Sequence, residues 1–151
     1  MRSRTRIIRS PDQALAELER ISKEFGKGPN GVKVGLPMGS NDYPDGTSVI
    51  MVGAVHEFGS PSKGIPERSF LRTTVVENKR SYKDLFKRLS RQIVNNQTSV
   101  KDSLGIIGLK VQTDVQDKII DIDSPPLKYR QGNPLHHTGH LVQSITFEVD
   151  E

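Results

Sequence analysis

The 151-residue chain lacks cysteine and tryptophan and has few aromatic side chains of any kind. Without cysteine it has no disulfide scaffold, no thiol nucleophile and no Cys-ligated zinc or iron–sulfur site. With 33% hydrophobic residues and 5% aromatics, we expect a lean core. The chain has no apolar run near the roughly 18 residues of a membrane span, and no apolar stretch follows its basic N-terminus. These absences predict a single cytoplasmic domain over residues 1–151.

The sequence also lacks the common catalytic motifs. His56-Glu57 begins like the zinc-protease pattern HExxH, but position 60 is serine and the flanking Gly59 and Pro61 would break a helix there. The chain contains no GxSxG nucleophile elbow, no GxGxxG loop and no phosphate-binding P-loop. We therefore expect no catalytic residues and no enzyme activity.

Three of the four histidines, His136, His137 and His140, fall within five residues. The spacing of the first and last would suit two metal ligands on one helical turn. The nearest carboxylate in the sequence is Glu148, however, and metal sites usually show at least three plausible ligands. The sequence therefore predicts no metal and no cofactor, and an enzyme with a His-rich site is the third-ranked alternative.

Charge is distributed unevenly along the chain, although the net charge is only +4. Residues 63–101 hold ten Lys or Arg and three Asp or Glu, a net charge of +7. Residues 102–151 hold four and eight, a net charge of −4. This asymmetry indicates an anionic partner, or self-association of the basic face of one copy with the acidic face of the next.

Periodicity and capping patterns predict an α+β fold: a small antiparallel or mixed sheet on a long two-helix antiparallel hairpin, with an N-terminal helix. The helices are predicted over residues 11–25, 74–95 and 100–121. Their predicted caps are Ser10 with Gln13, Thr74 with Glu77, and Ser99. In the first helix, Leu15, Leu18, Ile21 and Phe25 form an apolar stripe.

The strands are predicted over residues 32–36 and 144–149. Because two strands make a weak sheet, we expect a third from residues 5–9 or 49–55, although a short helix is favoured over residues 48–58. We expect exposed loops over residues 38–48 and 59–66 and a flexible basic arm over residues 1–9.

The predicted helix 74–95 carries a regular series of basic residues opposite its apolar side. We call these six residues the basic stripe: Lys79, Arg80, Lys83, Lys87, Arg88 and Arg91. The stripe is either a solvated helix face or a surface that meets nucleic-acid phosphates or an acidic protein.

Two segments in order carry a resemblance to a known family. The first is Ala54–Gly59 (AVHEFG) followed by Ile65–Arg72 (IPERSFLR), and the second is Asn133–Thr146 (NPLHHTGHLVQSIT). Together they resemble the tailed-bacteriophage tail-completion and neck proteins, the minor tail protein Z-like virion-morphogenesis group that joins heads to tails. The resemblance covers roughly residues 30–150. His136-His137 and His140 depart from the family pattern, which often has an acidic and a basic residue there.

The resemblance implies a non-enzymatic virion component of the tail or neck, assembled in the host bacterial cytoplasm. Its implied partners are other head–tail junction or tail proteins, further copies in an oligomeric ring, and exiting double-stranded DNA, with no membrane contact. The motif residues are expected to anchor the core or shape turns, with Phe58, Phe70 and Leu71 as apolar anchors and Arg68 and Arg72 pointing elsewhere. The full set comprises His56, Glu57, Phe58, Gly59, Pro66, Phe70, Leu71, Thr138, Gly139, Leu141 and Ser144. The runner-up function is a small basic nucleic-acid-binding protein of a phage or mobile element.

Overall fold

The structure, a computed structural model, describes residues 10–127 and 139–150. It is α+β, with two long antiparallel helices and a two-stranded antiparallel sheet packed against them. In chain order the elements are α1 (Pro11–Lys27), β1 (Val32–Gly35), α2 (Val49–Phe58), α3 (Leu71–Val94), α4 (Val100–Asp121), α5 (His140–Ser144) and β2 (Thr146–Val149), with a 3₁₀ turn at Pro61–Lys63. The predicted arm 1–9 lies outside the described residues.

The α3–α4 hairpin forms as the apolar periodicity predicts. Ser99 caps α4 by accepting a hydrogen bond from the Asp102 amide at 3.0 Å. One apolar cluster joins the two helices near their connection, and its buried members are Leu89, Ile93, Val100, Leu104 and Ile107. A second buried cluster gathers the other end of α4 with α2, α5 and the start of α3, through Val49, Phe70, Val115, Ile119, Leu141 and Ile145.

The sheet lies on α4. Val32 of β1 faces Val149 of β2, and Gly35 faces Thr146. The strands approach the helix closely at Gly108, where an added Cβ would overlap the Phe147 ring and the Val32 side chain. A glycine at this position therefore sets the distance between the sheet and the helix.

The sequence alternative of a third strand over residues 49–55 is wrong. This segment forms α2, which buries Val49, Gly53 and Glu57, a spacing of four that suits one face of a helix and not a strand. The other alternative, residues 5–9, lies outside the described residues. The last strand begins at Thr146 and not at Ser144, because Ser144 ends α5.

Helix α1 begins with the predicted capping box, in which the Ser10 and Gln13 side chains each bond the other residue's amide. Its contact with the hairpin includes two polar groups. Arg20 donates to the carbonyl oxygens of Ile93 and Val94 at the end of α3, at 3.3 and 3.0 Å. Glu24 accepts from the Val100 amide at the start of α4, at 3.1 Å. Each side chain has the charge that the helix dipole favours at that end.

The apolar stripe predicted on α1 is mostly exposed, with Leu15 59%, Leu18 63% and Phe25 46% accessible. In the part of the chain that the structure describes, we find no helix with the length and apolar character needed to cross a membrane.

Candidate functional site

The carboxylate of Glu57, in the last turn of α2, organises the first of the two family-like segments. Glu57 is 3% exposed. Its Oε2 accepts from the amides of Phe70 and Leu71, both at 2.9 Å. Its Oε1 accepts from the Ser69 hydroxyl at 2.8 Å, and from the amide and Nε of Arg72 at 3.0 and 2.9 Å. One buried side chain thus satisfies three of the free amides at the start of α3.

This contact explains why α3 begins at Leu71 and not at the predicted Thr74. Phe70 occupies the N-cap position but has no side chain to cap with, and Glu57 supplies the acceptor from another helix. The predicted Thr74–Glu77 capping box is wrong. The Thr74 hydroxyl donates to the Phe70 carbonyl oxygen at 2.6 Å, and Glu77 pairs with Lys118 on α4 at 2.8 Å.

The hydrogen bonds to Glu57 also fix its charge state. Burial by itself would raise the pKa of this carboxyl. The donors from Leu71, Ser69 and Arg72 outweigh burial and hold the pKa below its ordinary value. Glu57 is therefore ionised at neutral pH and acts as a fixed anion, not as a general acid.

Arg72 closes the outer side of this contact. Its Nη2 donates to the Glu57 carbonyl oxygen at 2.7 Å and to Glu67 Oε1 at 2.8 Å. Its guanidinium lies 4.9 Å from the centre of the Phe58 ring. Phe58 was expected to anchor the core, and this is wrong because its side chain is 65% exposed. It packs over a surface cation instead.

Arg68 was expected to point away from the fold, but it is 5% exposed. Its Nε donates to the Pro125 carbonyl oxygen at 2.7 Å and its Nη2 to that of Pro126 at 3.0 Å. Its amide donates to the carbonyl oxygen of His56 at 2.7 Å. Arg68 therefore connects the end of α2 to the chain that follows α4.

His56 packs beside this contact. Burial, with a smaller effect from Arg68, lowers its pKa, so the ring is neutral at pH 7. Its buried Nδ1 has no hydrogen-bond partner among the described residues.

The loop between the two halves of the segment is a short, closed structure. Ser60 and Ile65 form an antiparallel bridge around the 3₁₀ turn, and Pro66 is exposed. Gly59 has a φ of +73°, and a Cβ there would lie 2.9 Å from the Glu67 amide nitrogen. Only glycine combines this left-handed backbone with so close an approach. Gly59 therefore ends α2 and begins this loop.

The second family-like segment is described from Gly139 onward. Gly139 has a φ of +71° and precedes α5, in which the Ser144 hydroxyl donates to the His140 carbonyl oxygen at 2.8 Å. Leu141 is 1% exposed and packs in the same cluster as Val49 and Phe70. Because α5 lies against α2, this part of the second segment adjoins the first.

Only one histidine of the predicted cluster lies in the described residues. His140 Nε2 lies 2.7 Å from the Asn41 carbonyl oxygen, and its ring centroid is 4.6 Å from that of Tyr43. His136 and His137, together with the motif residue Thr138, lie outside the described ranges. Residues 10–127 and 139–150 contain no group of three or more His, Asp or Glu side chains placed to hold a metal ion.

The basic stripe lies on the solvent side of α3. All six side chains are exposed, and none forms an ion pair with another described residue. Arg80 and Arg88 border a cleft of about 700 Å³ between α3 and α4. The stripe thus presents six exposed cations without ion pairs to described residues along more than three helical turns, and the acidic residues near it are Glu77 and Asp84, which line the same cleft.

Sequence reasoning identified both family-like segments but missed the roles of their polar residues. A local signal existed for Glu57, because it is the one Asp, Glu, Lys or Arg in the otherwise apolar helix VIMVGAVHEF. For Arg68 no local signal existed, since its acceptors lie 57 and 58 residues away. Comparison with protein-family models, curated proteins and solved structures finds no match to this chain.

Proposed function

We propose that the chain is a structural component of a tailed phage or prophage particle, which completes the tail or joins it to the head through ring-forming protein–protein contacts. The observation that carries the proposal is the meeting of Glu57 with residues 69–72. The motif that supports the resemblance holds two helices together, and Glu57 and Arg72 are already paired within it. Such a motif is more typical of a fold than of a catalytic centre.

The exposed surface also supports an assembly role. Among the described residues, fourteen large hydrophobic side chains are exposed, spread over α1, α2, α3 and α4 and the loop after β1. Together with the basic stripe, they supply more than one contact face, as head-to-tail rings require.

Mass spectrometry of density-banded particles from the source phage or lysogen tests this function. We expect the chain at a few to a dozen copies per particle, and cryo-electron microscopy should then locate it in the neck or tail top. Complete, infectious particles from a strain in which the gene is deleted would overturn the proposal.

The second candidate function is binding of nucleic acid, and the basic stripe favours it. Its test is the affinity of the purified chain for duplex DNA at graded salt. Phosphate contacts release counterions, so log affinity should fall linearly with log salt, with a slope of about −0.9 for each phosphate neutralised. If the chain binds duplex DNA tightly at physiological salt and mass spectrometry does not find it in the particles, this function is favoured over the first.

A further inference from the structure

The helical layer of this protein is wider than its sheet. β1 and β2 both lie on α4, whereas neither described strand covers α3, which lies beside α4 on the β1 side. Between β1 and α3 runs a groove of about 560 Å³. Its apolar lining includes Val32, Val34, Val75, Val76, Val111 and Leu71. The two α3 valines that form its far wall are 49% and 72% exposed.

Among the described strands β1 pairs only with β2, and the groove opens onto the other edge of β1. The Asp150 amide donates to the Gly31 carbonyl oxygen at 2.9 Å, and Val32 faces Val149. In an antiparallel pair this pattern makes Val32 and Val34 the residues whose N–H and C=O groups point away from β2. No hydrogen bond from the described residues reaches these groups. The edge therefore offers two donors and two acceptors beside an apolar surface.

The surface beside the groove is positively charged. Lys79 and Lys83 follow Val75 at successive turns of α3, so the apolar wall continues into the basic stripe. Arg72, at the other end of the groove, already pairs with Glu57 and Glu67, so Lys79 and Lys83 supply the charge left unpaired among the described residues. Because a strand can add to an edge in either direction, a segment lying here is favoured if it carries acidic residues at its ends.

We propose that the groove binds an extended segment of another protein chain, which pairs with β1 as a third strand. The segment carries apolar β-branched residues at alternate positions, which contact Val75 and Val76, and acidic residues at its ends. Main-chain bonds to Val32 and Val34 provide affinity, and the groove provides selectivity for side chains.

Two other occupants fit less well. A helix in the groove would cover the outward polar groups of β1 without pairing them, which is costly. The β2 strand of a second copy cannot fill the groove, since its apolar face already packs on its own α4 through Phe147. The occupant is thus a segment with no helix behind it. Such a contact rests on the proposed assembly function and gives it a specific kind of partner segment.

The test uses purified full-length chain and a synthetic peptide, acetyl-Glu-Val-Thr-Val-Thr-Val-Glu-amide, followed by ¹H–¹⁵N NMR and hydrogen exchange. We expect saturable shifts at residues 32–35 and 71–76 and slower exchange of the Val32 and Val34 amides. The counterpart with lysine at both ends should bind more weakly. The peptide measurement needs no phage particle. If the peptide does not bind, the proposed particle function is therefore not contradicted, and mass spectrometry of particles still tests it.

Two variants separate strand pairing from non-specific adhesion. Val34→Pro removes one outward N–H, which an edge strand tolerates, and should weaken binding by about 2- to 10-fold. Val76→Glu alters an already exposed residue, so folding is preserved, and should repel the acidic peptide. The proposal is overturned if the peptide gives no shifts at millimolar concentration or binds Val76→Glu equally well. It is also overturned if the two amides are already protected in the monomer or become protected only as protein concentration rises.

Discussion

Glu57 is the residue on which most of the local structure depends. Its five hydrogen-bond donors come from four consecutive residues, and the carboxylate is nearly inaccessible to water. A shortened side chain would leave three amides, that of Phe70 buried, without this acceptor, and a neutral glutamine would keep only one of the two acceptor oxygens.

Replacing Glu57 with Ala should lower the free energy of unfolding by about 2–4 kcal/mol, measured by urea denaturation. Thr113→Ala, on the exposed face of α4, is the control and should change stability little. An equal effect of the two substitutions would contradict the role given to Glu57.

Acid should remove the Glu57 contribution. Because the folded-state pKa lies below the ordinary value, the contribution is fully present above about pH 4.3 and is lost as pH falls through the folded-state pKa. The difference in urea midpoint between the natural chain and Glu57→Gln should therefore shrink as the pH is lowered from about 5 through the folded-state pKa. A difference that stays constant over this range would show that the charge of Glu57 does not stabilise the fold.

Gly59 allows a second residue-scale test. Gly59→Ala combines a positive φ with a close approach to the Glu67 amide, and should cost about 1–3 kcal/mol. Gly64 has a φ of +65° with no atom near its missing Cβ, so Gly64→Ala should cost only about 1 kcal/mol. Thermal unfolding of both variants separates the two effects, since Gly64→Ala adds backbone strain alone and Gly59→Ala adds strain and a steric contact. Equal costs would show that the contact with the Glu67 amide does not destabilise the protein.

At the scale of elements, the sequence predicted the start of a helix where the capping residue is a neighbour in the sequence. α1 and α4 begin where Ser10 and Ser99 indicate, since each cap bonds an amide three residues on. The start of α3 was missed by one turn because its cap is 13 to 15 residues away, on another helix. The exposure of Phe58 and the burial of Arg68 were missed for a similar reason. Both depend on partners distant in sequence or on which helix face meets the core.

The attachment of α1 gives a prediction at this scale. Arg20 and Glu24 bond opposite helix ends at the α3–α4 connection, so the double variant Arg20→Ala, Glu24→Ala should loosen α1 without unfolding the hairpin. Hydrogen exchange should accelerate across α1 and remain slow in the centre of α4. Lys23→Ala is the matched control, and unchanged exchange in α1 would mean that other contacts hold it.

At the scale of the whole molecule, the charge asymmetry of the sequence has a structural counterpart. The excess of basic residues in 63–101 is concentrated on one exposed side of α3, where no described carboxylate pairs with the stripe. Composition alone predicted that a charged surface exists. It did not predict that the same helix wall would continue into an apolar groove, because that depends on the position of β1 relative to α3.

Charge reversal tests this surface in the particle. The variant Lys83→Glu, Lys87→Glu, Arg91→Glu should block particle assembly or DNA retention, since it replaces three exposed cations with anions while leaving buried residues unchanged. Particle yield, packaged DNA and infectivity are the measurements. The same residues changed to Gln provide a milder control. Normal yield and infectivity of the charge-reversed variant would exclude a role for the stripe.

The distant cap of α3 also bears on the order of folding. Before α2 docks, the chain near Thr74 carries a local capping pattern with Glu77 that favours a helix starting one turn late. In the folded protein Glu57 bonds the amides of residues 70–72 and Glu77 pairs with Lys118, so this local pattern is not used. We therefore expect the first turn of α3 to form late, with its long-range contacts, whereas the rest of the helix needs only its neighbours. Folding kinetics of Glu57→Ala should show this as faster unfolding with little change in the folding rate.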